Sequence, residues 1–146
     1  MIYDLRIFNH EIRKSQSLDF TFPCLMSIEF KNRTLQFSMR VVHLVEKLPA
    51  SVTGDVFGRQ LLRCATSVGA NYRAASRAKS DRDFLNKMKI CEEEIDETLY
   101  WLELIKHTQI FDESRMQPLI AEADEMCAII TAICKTTSAK LRNRKS

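Results

Sequence analysis

The stretch Gln60–Phe84, QLLRCATSVGANYRAASRAKSDRDF, decides how the rest of the chain is read. Within it Leu61, Cys64/Ala65, Val68, Tyr72 and Ala75 step by three or four residues, the spacing of one buried stripe on a helix. No proline interrupts the run, and it is dense in small residues, among them Ala65, Ser67, Gly69, Ala70, Ala74 and Ala75. Small side chains on a helical stripe let a neighbouring helix approach closely. Arg63, Arg73, Arg77, Lys79 and Arg82 fall largely off the stripe, with no acid before Asp81. The segment predicts a helix with a close-packing side and a basic side.

Working outward, the flanking sequence predicts three more helices. On the N-terminal side, Asn32 reads as the N-cap of a first helix whose stripe is Leu35, Met39, Val42, Val45 and Leu48, widened by Val41 and Leu44. Pro49 ends it, because proline disfavours helical geometry in the residue before it. Thr53 is the expected cap of the second helix, which runs from about Gly54 to Lys79. Ser80 caps the third, with Asp83 in the capping-box position, and Phe84, Met88, Cys91, Ile95, Leu99, Leu102 and Ile105 mark its core side. Glu92, Glu93, Glu94, Asp96 and Glu97 crowd that helix with like charge, so cations from elsewhere are expected nearby. After His107, Pro118 predicts a break or kink between Glu113 and itself. A fourth helix then carries Leu119, Ala123, Met126/Cys127, Ile130, Ile133/Cys134 and Thr137. Four long amphipathic helices with short links imply an all-α, antiparallel up-down-up-down four-helix bundle. The expected organisation is an extension over 1–25, the bundle over 26–140 and a basic tail over 141–146. Met26 reads as the real or ancestral start, with 1–25 a loosely attached extension; a short extra helix or strand packed on the bundle is the alternative.

Composition narrows the functional classes. A chain of 146 residues with 45% apolar content is one globular domain by default. No apolar run is long enough to span a membrane, and the N-terminus lacks the continuous apolar segment of a signal peptide. Five cysteines with no C-x-x-C, four of them on predicted stripes, read as reduced core residues in a cytoplasmic protein. The net charge of +3 is unevenly spread. Residues 54–80 hold five bases and one acid, residues 81–107 four bases and eight acids, and residues 135–146 five bases and no acid. Such asymmetry points to polar contacts between subunits or to an anionic partner, with solvated helix faces as the plain alternative.

No catalytic constellation emerges. A di-iron bundle site needs Glu-x-x-His pairs, whereas Glu103 and His107 are four apart. His10, His43 and His107 lie on separate segments, and neither a phosphate-binding P-loop nor a nucleophile elbow occurs. The expectation is a non-enzymatic protein without cofactor or metal. Its candidate nucleic-acid-binding residues are Arg59, Arg63, Arg73, Arg77, Lys79 and Arg82, with Lys140, Arg142, Arg144 and Lys145 of the tail. These could neutralise phosphates; the competing reading pairs the arginines with acids of the third helix, in the same or a neighbouring subunit. Candidate oligomer-interface residues are Gly69, Asn71, Tyr72 and Trp101, with the core margin as the alternative place for Trp101.

The run from Gln60 to Phe84 resembles the signature of the 23S rRNA intervening-sequence proteins, with LPASVTG (48–54) matching that family's Leu-Pro turn and EEEIDETLYWLELI (92–105) its Glu-rich third helix. The likeness runs from Phe30 to about Lys140; Ala74 stands where the family often has Glu. The resemblance implies a bacterial four-helix bundle, a barrel-shaped homopentamer and a largely undefined role. A related group, the accessory variability proteins of diversity-generating retroelements, binds a reverse transcriptase and nucleic acid. The implied partners are therefore further copies of the chain, and RNA or a nucleic-acid-processing protein. Two functions follow: a nucleic-acid-associated oligomer presenting Arg and Lys, or a protein-interaction scaffold that uses its charges for self-assembly and partner binding.

Overall fold

The computed structural model describes residues 22–144. Four helices follow in order: α1 (Phe22–Val45), α2 (Val52–Ala75), α3 (Asp81–His107) and α4 (Glu113–Asn143). The links 46–51, 76–80 and 108–112 are too short for anything but antiparallel neighbours. α1 packs on α2, α2 on α3 and α3 on α4, and a narrower seam joins α4 to α1. The molecule is an all-α four-helix bundle.

The organising stripe of α2 is the centre of the core. Leu61, Cys64, Ala65, Val68, Tyr72 and Ala75 are all buried. They meet Met88, Cys91, Ile95, Leu102 and Ile105 of α3, and Met116, Leu119, Ala123, Met126, Ile130 and Cys134 of α4 complete the interior. The small residues act within the chain. A Cβ placed on Gly69 would stand 3.2 Å from Thr34 Oγ1, so the missing side chain is what lets α1 cross α2 here. Gly58 does the same against Val45, 3.0 Å from Cγ1.

α1 departs from its expected register. Its buried side is Phe30, Thr34, Phe37, Val41 and Leu44, whereas Leu35 and Met39 are each 47% exposed. Apolar residues lie almost all the way round this helix, so periodicity alone picks the wrong stripe. The inward position at 34 is a threonine, chosen for size against Gly69; its hydroxyl is satisfied by donating to the Lys31 carbonyl (2.8 Å). The helix also begins by Phe22, so Asn32 lies in its interior and does not cap it. Of the expected extension over 1–25, residues 1–21 lie outside the described residues and 22–25 belong to α1.

The other helix ends are set by local chemistry. Ser51, not Thr53, caps α2, its Oγ accepting from the Gly54 amide at 3.0 Å. A Cβ on Gly54 would stand 2.1 Å from the Pro49 carbonyl oxygen, so only glycine fits under this turn. Ser80 caps α3 by accepting from the Asp83 amide (3.1 Å), while Asp83 Oδ2 accepts from the Lys79 amide (3.1 Å). This is a capping box displaced by one residue at its return bond. Gln109, at φ 58°, turns the chain out of α3 in the left-handed conformation common just after a helix. The break expected before Pro118 is absent: α4 runs continuously from Glu113. The carbonyl that Pro118 leaves without a helical donor is that of Ser114, an exposed residue that water can reach.

Candidate nucleic-acid interface

α2 turns its arginines away from the stripe: Arg59, Arg63 and Arg73 lie on its outward sides, and Arg77, in the link just after it, is exposed as well. Their electrostatic settings divide them. Arg63 reaches across to α3, with Nη2 2.5 Å from Glu97 and Nη1 3.3 Å from Glu94. That bond to Glu97 holds the guanidinium pKa above its ordinary value. In return Arg63, helped by the Trp101 indole N–H donating at 3.1 Å, holds the Glu97 carboxyl below the usual range. The cation expected from elsewhere beside the acidic run of α3 is thus Arg63, while Glu92 pairs with Lys89 of α3 itself. Arg59 lies 3.9 Å from Asp55 of its own helix.

Arg73, Arg77 and Arg82 are different. Each reaches solvent, and none forms a side-chain ion pair among the described residues. The topology places the C-terminal end of α2 and the first turn of α3 at one end of the bundle, together with the end of α4. Asp81, the first residue of α3, touches both cations ending α4: its carboxylate lies 3.3 Å from Lys140 Nζ and 2.6 Å from Arg144 Nη1. Two groups separated by about sixty residues in sequence, the cations ending α2 and those ending α4, therefore share one end of the molecule. Lys79 and Arg142 belong to the same end. Asp83, the second acid in the first turn of α3, is held below the usual carboxylate range by Lys87 and by the Lys79 amide. Lys145 lies outside the described residues. Arg59 and Arg63 stand more than two helical turns away and do not join this group.

The residues expected at a subunit interface are used mainly inside the chain. Gly69 is buried against Thr34, and Tyr72 is buried with its ring edge-on to Phe30, centroids 4.7 Å apart. Both are thus buried within the single chain. Asn71 is half-buried and donates to the Ser67 carbonyl and hydroxyl, both at 2.9 Å. Trp101 is half-buried, tilted against Phe57 at 6.1 Å. Large apolar side chains left exposed among the described residues are Ile28, Leu35 and Met39 of α1, seven and four residues apart and so on one face, together with Val52 and Val56 of α2 and Ile90 and Tyr100 of α3.

Sequence reasoning missed one further constellation. Arg33 bridges the α1–α4 seam, its Nε 2.6 Å from Glu122 and its Nη2 2.5 Å from Glu125. The bond to Glu122 raises the Arg33 pKa against the opposing effect of burial. Glu122 and Glu125 are three apart on one helix face, a signal in the sequence, but their partner lies about ninety residues away. Among the described residues no cluster of three His, Cys, Asp or Glu could hold a metal ion, and no helix is long and apolar enough to cross a membrane.

Comparison with known proteins gives a consistent picture. Residues 26–132 match the model of the 23S rRNA-intervening sequence protein family. A solved structure from Bacteroides thetaiotaomicron, described as a protein of unknown function from the S23 ribosomal protein family, is 35% identical in sequence. The match covers 72% of this chain and 97% of that one, with a TM-score of 0.67. No curated protein matches the chain.

Proposed function

The chain belongs to the 23S rRNA-intervening sequence protein family, and on that footing we propose that it is a non-enzymatic, nucleic-acid-associated protein of the bacterial cytoplasm. One observation carries the reading: Arg73, Arg77 and Arg82 reach solvent without ion-pair partners among the described residues, at the same end as Lys79, Lys140, Arg142 and Arg144. Arginines used to hold a bundle together find carboxylates, as Arg33 and Arg63 do. Arginines left in solvent beside further cations repel one another, a cost that an approaching polyphosphate turns into binding energy by releasing counterions. Of the three arginines along α2, Arg63 is paired across to α3 and Arg59 within its own helix, which leaves Arg73 with the open set. RNA is the partner class the reading favours, through phosphate contacts that carry no base sequence.

The test is a titration with single-stranded RNA at several salt concentrations. The logarithm of the association constant should fall against the logarithm of salt with a slope of about −0.7 per phosphate contact. Arg73→Ala with Arg77→Ala should weaken binding while the assembly state stays as in the parent. Absence of binding even at ~50 mM salt, where phosphate contacts are strongest, removes the reading.

A second reading has its own observation. Ile28, Leu35 and Met39 make an outward apolar stripe on α1 that no other described residue covers, which favours a self-assembling scaffold with a second copy seated there. The homopentamer implied by the family resemblance is the expected assembly, and it is compatible with either function.

A further inference from the structure

The basic end carries its own anion. Asp81 is in contact with two cations at once, Lys140 (3.3 Å) and Arg144 (2.6 Å), both belonging to the end of α4. All three side chains are substantially exposed, at 35%, 54% and 62%. Exposed ion pairs of this kind are weak, because water screens them and the long side chains lose freedom in making them. The contact is therefore strong enough to bias where the end of α4 lies and weak enough to exchange. Arg73, Arg77 and Arg82 have no such carboxylate among the described residues. The cations of this end are thus of two kinds, open and occupied.

We infer that Asp81 is a built-in competitor for nucleic acid: its carboxylate occupies Lys140 and Arg144 in the free protein, and phosphates take its place when a strand binds. The inference rests on the nucleic-acid reading above and adds its regulation. Phosphate oxygens and a carboxylate offer these cations the same kind of charge-assisted hydrogen bond. A strand arriving at Arg73, Arg77 and Arg82 must also pass Asp81, whose charge repels it. Exchange of Lys140 and Arg144 from Asp81 to phosphate recovers part of that repulsion. It yields little net affinity from these two residues, because each bond to phosphate takes the place of a bond to Asp81. Binding is thereby kept weaker and less salt-dependent than the number of cations implies.

Asp81→Asn tests this, because asparagine keeps the shape and removes the charge. Asp83→Asn is the charge-matched control: it neutralises an acid two residues away that engages Lys87 and the Lys79 amide, not the end of α4. The probe is a single-stranded oligouridine titrated across salt, with thermal melting to confirm that each variant is folded. Asp81→Asn should bind several-fold tighter, with a salt slope steeper by up to about 1.4, two phosphates at ~0.7 each. Asp83→Asn should raise affinity less and leave the slope close to the parent's. Hydrogen exchange of the α4 amides 140–143, measured without RNA, should quicken in Asp81→Asn only. Equal slopes for parent and Asp81→Asn, weaker binding by Asp81→Asn, or unchanged exchange at 140–143 overturns the competitor role while leaving the nucleic-acid reading in place. Absence of binding by the parent and both variants at ~50 mM salt overturns the nucleic-acid reading, and the exchange with it.

Discussion

Gly69 shows how much of this fold turns on one missing Cβ. The backbone of α2 comes so near α1 that a methyl group there already meets Thr34 Oγ1 at 3.2 Å, and Thr34 itself is buried with its hydroxyl turned back to its own helix. Gly69→Leu should therefore push the two helices apart or force a strained rotamer, at a cost of about 1–3 kcal/mol or more, read as a fall in melting temperature. Gly54→Ala should be worse for its size. Its Cβ meets the Pro49 carbonyl at 2.1 Å, an obstacle of backbone that no rotamer can move, and the Ser51 cap is built on the same turn. Gly58→Ala should be the mildest of the three, since the atom 3.0 Å away is a methyl of Val45 at the end of α1, a side chain that can give way. An unchanged melting temperature for Gly69→Leu would show that the α1–α2 crossing has room to spare. The buried thiols are consistent with the same dry interior: burial raises the pKa of Cys91 to about 12 and of Cys134 to about 11, so both remain packed, protonated side chains at neutral pH.

Between helices, the pairing of Arg63 with Glu97 and Glu94 ties α2 to the acidic run of α3. The folded state holds Glu97 below the ordinary glutamate range, chiefly through the Arg63 hydrogen bond. A carboxyl whose pKa is lowered on folding contributes stability that is full above its unfolded pKa and is lost as pH falls through the folded value. Stability should thus decline on acidification below about pH 4, and Glu97→Gln should make that decline shallower while lowering stability slightly at neutral pH. Denaturant midpoints measured at neutral and acid pH check this, and an acid limb unaffected by the substitution would show that the pair contributes nothing there. The helices themselves were largely legible in the sequence. Those of α2, α3 and α4 alternate a continuous apolar stripe with charge, and most of what the spacing picks out from Leu61 through Ile130 is buried; Phe84, Leu99 and Cys127 are half-buried, and Phe57, Thr98, Met116 and Ile129 are buried outside the expected stripes. α1 was not, because Leu35, Met39 and Val42 compete with Phe37, Val41 and Leu44 for the inward side, and what decides is the fit of Thr34 onto Gly69, a contact between residues 35 apart. Pro118 misled for a related reason: the rule against interior proline assumes that the lost bond is costly, and near an exposed first turn it is not.

For the molecule as a whole, the distribution of charge was legible and its partners were not. Sequence alone placed cations on α2 and in the tail; only the packing could divide Arg63, spent on α3, from Arg73 and Arg77, and bring Lys140 and Arg144 to the same end through Asp81. Gly58 and Gly69 are used in packing α2 on α1, which turns attention for self-assembly to the exposed apolar side chains. We propose the outward stripe of Ile28, Leu35 and Met39 as a self-assembly surface, because these apolar side chains lie about half or more in solvent among the described residues, a cost that a second copy would remove. Light scattering at tens of micromolar should then give a mass that is a multiple of the 16.9 kDa chain, five-fold for the expected homopentamer. Leu35→Glu with Met39→Lys should bring it down to the single-chain mass. The helix content should persist, since both side chains already lie about half in solvent and no core contact is removed. Arg73→Ala with Arg77→Ala should leave the mass unaltered, because neither arginine meets a carboxylate among the described residues or belongs to the α1 stripe. A single-chain mass for the parent protein would sink self-assembly altogether. An assembly that survives Leu35→Glu with Met39→Lys but falls apart on loss of Arg73 and Arg77 would move the interface to α2, and with it the arginines from nucleic acid to the scaffold.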